Sequence, residues 1–115
     1  MEEGISIDYK SLKKVLDTVG KLKSEGLRDL AVTSVAFANV HGGKIVIGIE
    51  DKDKQPPLNQ TISVKTANET VTRLKSLCFN VGFQLGEIES HANGSDFFTI
   101  TIYPTLKSVA TTADG

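Results

Sequence analysis

Apolar and polar residues alternate through Ile5-Ser6-Ile7-Asp8-Tyr9, the period of a strand with one buried face, which predicts a first strand closed by Lys10. The period then lengthens. Leu12, Val15, Leu16, Val19 and Leu22 share one helical face, Lys10, Lys14 and Lys21 lie on the other, and Ser11 stands where an N-cap is needed. Gly20 weakens this helix by about 1 kcal/mol relative to alanine, and Gly26 is expected to end it. A second helix is predicted from Leu27, with Leu30, Ala31, Val35 and Ala38 as its stripe. It should stop at His41-Gly42-Gly43, where glycine takes a left-handed conformation without a Cβ penalty.

The β-branched run Lys44-Ile45-Val46-Ile47-Gly48-Ile49 is too apolar for a surface strand and is expected at the centre of a sheet. Asp53-Lys54-Gln55-Pro56-Pro57 reads as a loop, because a Pro-Pro pair cannot donate to a ladder. A third helix is predicted over Thr66 to Asn80, burying Ala67, Val71, Leu74, Leu77 and Cys78 while Arg73 and Lys75 point away. Two strands, Phe83 to His91 and Asp96 to Tyr103, flank Ala92-Asn93-Gly94-Ser95, and Asn-Gly is a strong hairpin signal. After Pro104 the periodicity is lost, and Ser108 to Gly115 offers little to bury. The order β-α-α-β-α-β-β implies an α+β fold, a mixed β-sheet with packed helices.

With 115 residues, 39% of them hydrophobic, the chain suits one two-layer domain. Cys78 has no partner for an internal disulfide, and between Leu77 and Phe79 it reads as a core residue. No apolar run approaches the length of a membrane span, and Met1-Glu2-Glu3-Gly4 is acidic where a signal peptide is basic, so the expected compartment is the cytoplasm. His41 and His91 lack the spacing and the cysteine neighbours of a zinc site. No nucleophile with a recognisable base partner is present.

The net charge of −1 argues against a surface that is basic throughout. Its distribution changes the picture. Between residues 10 and 49, Lys10, Lys13, Lys14, Lys21, Lys23, Arg28 and Lys44 face only Asp17, Glu25 and Asp29, whereas the segments on either side are acidic. Those seven cations can neutralise phosphates and position a polyanion without reading its sequence. A lysine-rich helix face is also what plain solvation produces. No aromatic residues are interleaved with these lysines, so no base-stacking platform is evident.

The run from Ala36 to Asp51, Ala-Phe-Ala-Asn-Val-His-Gly-Gly-Lys-Ile-Val-Ile-Gly-Ile-Glu-Asp, resembles the signature of the Schlafen AlbA-like domain. Asp8-Tyr9-Lys10 is similar to the family's Glu-Phe-Lys, Glu3 stands where an earlier glutamate is usual, and Tyr103-Pro104 with the Lys107 to Gly115 tail is similar to the stretch that leads into a last strand. The resemblance implies a DNA-binding module of the kind found at the N-terminus of bacterial transcriptional regulators, so residues 1–115 are expected to be one domain forming the N-terminal part of a longer protein. The expected partner is therefore nucleic acid, with DNA favoured over RNA and no membrane; homo-oligomerisation is left open. On this reading the binding residues are Lys10, Lys13, Lys14, Lys21, Lys23, Arg28, Asn39, Gly42, Gly43 and Lys44. The older description of the family as a divergent AAA ATPase finds no support, because Gly42-Gly43-Lys44 lacks the spacing of a phosphate-cradling P-loop.

No cofactor is expected for binding alone. Some eukaryotic Schlafen relatives use a carboxylate trio as a metal-dependent RNA nuclease. The matching positions here are Glu3, Asp8 and Asp51, with Glu50 beside them, and such a trio would hold Mg²⁺ or Mn²⁺. Asp8 is one methylene shorter than the usual glutamate. A third reading is an oligomerising or scaffold domain without catalysis.

Overall fold

The computed structural model describes residues 6–105. The elements run β1 (Ser6–Lys10), α1 (Leu12–Val15), α2 (Ser24–Ala38), β2 (Gly43–Ile47), α3 (Val64–Leu77), β3 (Phe83–Leu85), β4 (Glu89–Ser90) and β5 (Asp96–Ile102). Glu3 and the tail from Lys107 to Gly115 lie outside the described residues.

The sheet has the order β1-β2-β5-β3, with β4 also pairing β5. β1 runs parallel to β2, from Ser6 opposite Gly43 to Lys10 opposite Ile47, and β5 runs antiparallel to β2. The apolar run from Lys44 thus forms an interior strand, as its composition predicts. Register puts Ile45 beside Ile100 and Ile47 beside Phe98, so these side chains share one face. All four are fully buried, with Leu27, Leu30, Ala31 and Ala38 of α2 and Ala67, Val71 and Leu74 of α3 packed into the same core. Burying each large side chain contributes about 1.5–3 kcal/mol. The opposite face carries Tyr9, Lys44, Val46, Thr99 and Thr101 and no helix packs on it among the described elements. The α+β class is what the periodicities imply.

Four boundaries differ from expectation. The first helix stops at Val15, after which Leu16 is extended; Val19, placed on the buried stripe by its spacing, is 74% exposed. Gly26 does not end that helix but lies in the first turn of α2, where a Cβ would run into the backbone carbonyl of Lys14. The final hairpin contains two short strands where one was expected. Leu85 opposes Ile100 and Glu89 opposes Phe97, so three residues on one strand face two on the other, a β-bulge at Gly86 to Ile88. The third helix begins two residues before its predicted start, at Val64, because Ser63 caps it by accepting from the Thr66 amide at 3.1 Å; Asn80 lies past its end with a positive φ.

Candidate nucleic-acid interface

Residues 12–23 fold into a tight knuckle. Leu16 and Leu22 form an antiparallel bridge. The Asp17 carboxylate accepts hydrogen bonds from the backbone amides of Val19 and Lys21, both at 2.9 Å, and Gly20 closes the turn at φ +84°. That turn chemistry, an aspartate satisfying amides two and four residues on with a glycine at its tip, overrides the helical spacing of the apolar residues. The Lys23 amide donates to the Val15 carbonyl at 2.7 Å, and the Lys23 ammonium donates to the Lys13 carbonyl at 3.2 Å. Lys13, Lys14 and Lys21 are exposed, Lys23 is half-buried, and none of the four forms an ion pair among the described residues.

The Lys21 amide, with that of Val19 and the charges of Lys21 and Lys23, holds the Asp17 carboxyl below the usual carboxylate range. A depressed folded-state pKa means that the turn's contribution is present above the ordinary aspartate value and is lost as pH falls through the lower, folded one. In an NMR titration the Val19 and Lys21 amide shifts should therefore move together, with a midpoint below that of an unstructured aspartate. Asp17→Ala should abolish the transition; a midpoint at the ordinary value would contradict the hydrogen-bonded turn.

Lys10 sits apart in character. Its ammonium lies 2.7 Å from Asp29 on α2 and 3.4 Å from Asp8, and its side chain is 16% exposed. Burial alone would pull its pKa down, but the Asp29 hydrogen bond and the two carboxylate charges outweigh this and raise it. Its charge is thus matched within the protein. Arg28 is exposed on α2 and makes no ion pair among the described residues.

Gly42, Gly43 and Lys44 lie at the opposite end of β2 from Lys10, about 13 Å away along the strand at about 3.3 Å per residue. The structure therefore does not bring the diglycine turn beside the α1 lysines. Both glycines are buried. The Gly42 amide donates to the Phe37 carbonyl at 2.7 Å, and a Cβ there, at φ +80°, would come within 2.6 Å of the Ile102 carbonyl oxygen. A Cβ on Gly43 would meet the Phe37 ring at 2.5 Å and the Ser6 carbonyl at 2.7 Å. Asn39 is the C-cap of α2, and Lys44 is exposed on the helix-free face of the sheet.

Of the implied carboxylate trio, Asp8 faces Lys10, and Asp51, in the loop after β2, is bound at 2.7 Å by Lys54, whose ammonium also lies over the Tyr9 ring. The Lys54 hydrogen bond and charge, with smaller contributions from Lys10 and Lys14, hold the Asp51 carboxyl below its usual range. Glu50 forms a backbone bridge with Gln55. Among the described residues no group of three or more histidine, cysteine, aspartate or glutamate side chains is placed to hold a metal ion. Cys78 is buried at the end of α3, and burial pushes its thiol pKa up.

Several residues that matter here carry no local signal in the sequence. Gln60 donates through its side-chain amide to the carbonyls of Gly48 and Asp96, at 2.7 and 2.9 Å, and so ties the loop after β2 to the start of β5. It also lines the groove formed by Leu12, Lys13, Lys14, Leu16 and Lys23. Lys65 and Arg73 on α3 face a second groove against the knuckle. Only the fold brings these distant stretches together.

The mixed sheet and the two helices packed on one of its faces define an α+β domain, with Lys13, Lys14 and Lys21 exposed on the segment between β1 and α2. The family model described as Schlafen, AlbA_2 matches residues 3–115. The chain belongs to that family, and membership suggests a nucleic-acid-binding domain. No curated protein matches the chain. Among solved structures, the DIP2311 protein from Corynebacterium diphtheriae is similar with a TM-score of 0.64 at 16% identity, over 95% of this chain and 20% of that one. That likeness is one of fold, and this chain spans about a fifth of the length of that protein. No described helix is long and apolar enough to cross a membrane.

Proposed function

We propose that this domain binds nucleic acid, with DNA as the favoured polymer, as one part of a transcriptional regulator, and that Lys13, Lys14, Lys21 and Lys23 are its principal contacts. The observation that carries the reading is the knuckle itself. A segment of twelve residues, 12 to 23, presents four lysines, none in a direct ion pair among the described residues although Lys21 and Lys23 lie within the field of Asp17, on a backbone held by the Asp17 turn. Lysines carried on a backbone held by hydrogen bonds can meet a phosphodiester backbone, and each contact releases counterions. Lys10, matched by Asp8 and Asp29, contributes less.

The test is fluorescence anisotropy with duplex DNA over a range of salt. Log affinity should fall linearly with log salt, by about 0.9 per phosphate contacted. The Lys13→Ala/Lys14→Ala double variant should reduce that slope by about 1.8 while leaving the fold intact, since both side chains are exposed. No binding even at low salt would remove the proposal.

A further inference from the structure

We infer that a bound strand continues past the tip of the knuckle into a second groove, where Lys65 and Arg73 of α3 join Lys21 as phosphate contacts. This rests on the nucleic-acid reading above and extends it to residues on a different element. The groove lies between the turn residues Gly20, Lys21 and Leu22 on one side and the exposed face of α3 on the other. The groove beneath α1 is lined by Leu16, Asp17 and Thr18, so consecutive residues of one turn form a wall of each. A polymer held by Lys13 and Lys14 and following the turn arrives at Lys21 and then at α3.

The spacing on α3 suits a repeating anion. Lys65 and Arg73 stand eight residues apart on the helix, about 12 Å along its axis at about 1.5 Å per residue. That is the axial span of three to four nucleotides of one strand at about 3.4 Å each. Asn68 and Thr72 lie between them in the same groove and can donate hydrogen bonds to phosphate oxygens. Glu69 is the groove's one carboxylate, a helical turn from each cation, yet it forms no ion pair with Lys65, Arg73 or Lys21. The groove therefore keeps a surplus of positive charge. A merely solvated helix face would place its cations without regard to the knuckle. Here both face it, whereas Lys75, on the same helix, lies outside the groove.

The experiment measures binding of labelled duplex and single-stranded DNA by the unmodified protein, Lys65→Ala/Arg73→Ala, Glu69→Gln and Lys75→Ala, each checked for folding by circular dichroism. The double variant should lower the salt slope by about 1.8 on duplex, or about 1.4 on a single strand. Glu69→Gln should bind several-fold more tightly at low salt, and Lys75→Ala should match the unmodified protein. Should the double variant fail to fold, the gain in Glu69→Gln carries the test alone. If Lys13→Ala/Lys14→Ala weakens binding but the α3 double variant and Glu69→Gln do not differ from the unmodified protein, the second groove is not a contact and the knuckle reading stands. If the unmodified protein binds neither polymer, both readings are overturned together.

Discussion

Gly26→Ala is expected to destabilise the domain by about 2 kcal/mol or more and to weaken the proposed nucleic-acid binding with it. Helix propensity predicts the opposite sign, because alanine within a helix is favoured over glycine by about 1 kcal/mol. Packing decides the outcome. A Cβ at position 26 runs into the carbonyl oxygen of Lys14 and presses on the Val15 Cα, both backbone, so neither can move without shifting α1. Overpacking of this kind costs about 1–3 kcal/mol and sometimes more, which exceeds the propensity gain. α1 is only Leu12–Val15, with no length to absorb the shift, and it carries Lys13 and Lys14. Thermal unfolding should show a midpoint lower by roughly 10 °C, at about 4–8 °C per kcal/mol for a domain of this size. An unchanged or raised midpoint would mean that the knuckle does not seat on α2 as described.

The second large effect is expected at Gln60. Replacement by leucine keeps the volume but removes the amide that serves the Gly48 and Asp96 carbonyls; an acceptor left unpaired away from water costs about 1–3 kcal/mol, and because both bonds are partly buried each falls toward the lower end of that range. A total loss of about 3 kcal/mol is expected by urea denaturation. Gln60→Glu should be no better at neutral pH, since a carboxylate would face two carbonyl oxygens, and should recover as the acid protonates and regains one donor. A leucine variant as stable as the unmodified protein would show that the two carbonyls do not depend on this side chain. Because Gln60 also lines the groove beside Lys13 and Lys14, some loss of binding should accompany the loss of stability.

Much of this architecture is written in short-range patterns. The β-branched run from Lys44 announces an interior strand, the stripe through Leu30, Ala31 and Ala38 announces α2, and Asn93-Gly94 marks the turn before β5. What periodicity cannot show is where a pattern is overridden. The leucines and valines of residues 12–22 fit one helix by spacing, yet the Asp17 carboxylate and Gly20 turn the chain, a signal readable from residue types once turn chemistry is weighed against spacing. Gly26 reads in the sequence as a helix terminator, and only the approach of the Lys14 carbonyl shows it to be a contact point within α2.

The candidate interface was legible to a lesser degree, for the same reason. A local excess of positive charge locates lysines along the chain but not their partners. Lys10 acquires Asp29 from a helix nineteen residues on, whereas Lys13, Lys14 and Lys21 remain unpaired among the described residues. Lys65 and Arg73 join the knuckle from the other side of the central strand in sequence. No local pattern could have linked them to it.

The burial of Gly42 and Gly43 has a consequence for how relatives are recognised. With Phe37, Ser6 and Ile102 pressed against them, side chains at either position are refused by the protein's own interior. That demand holds whatever the surface touches. Chains selected by this diglycine stretch are thus sorted by architecture, and two of them can agree there while presenting different ligands with different outer residues. On the nucleic-acid reading proposed above, kinship in binding is judged by comparing the turn around Asp17 and the outward side of α3.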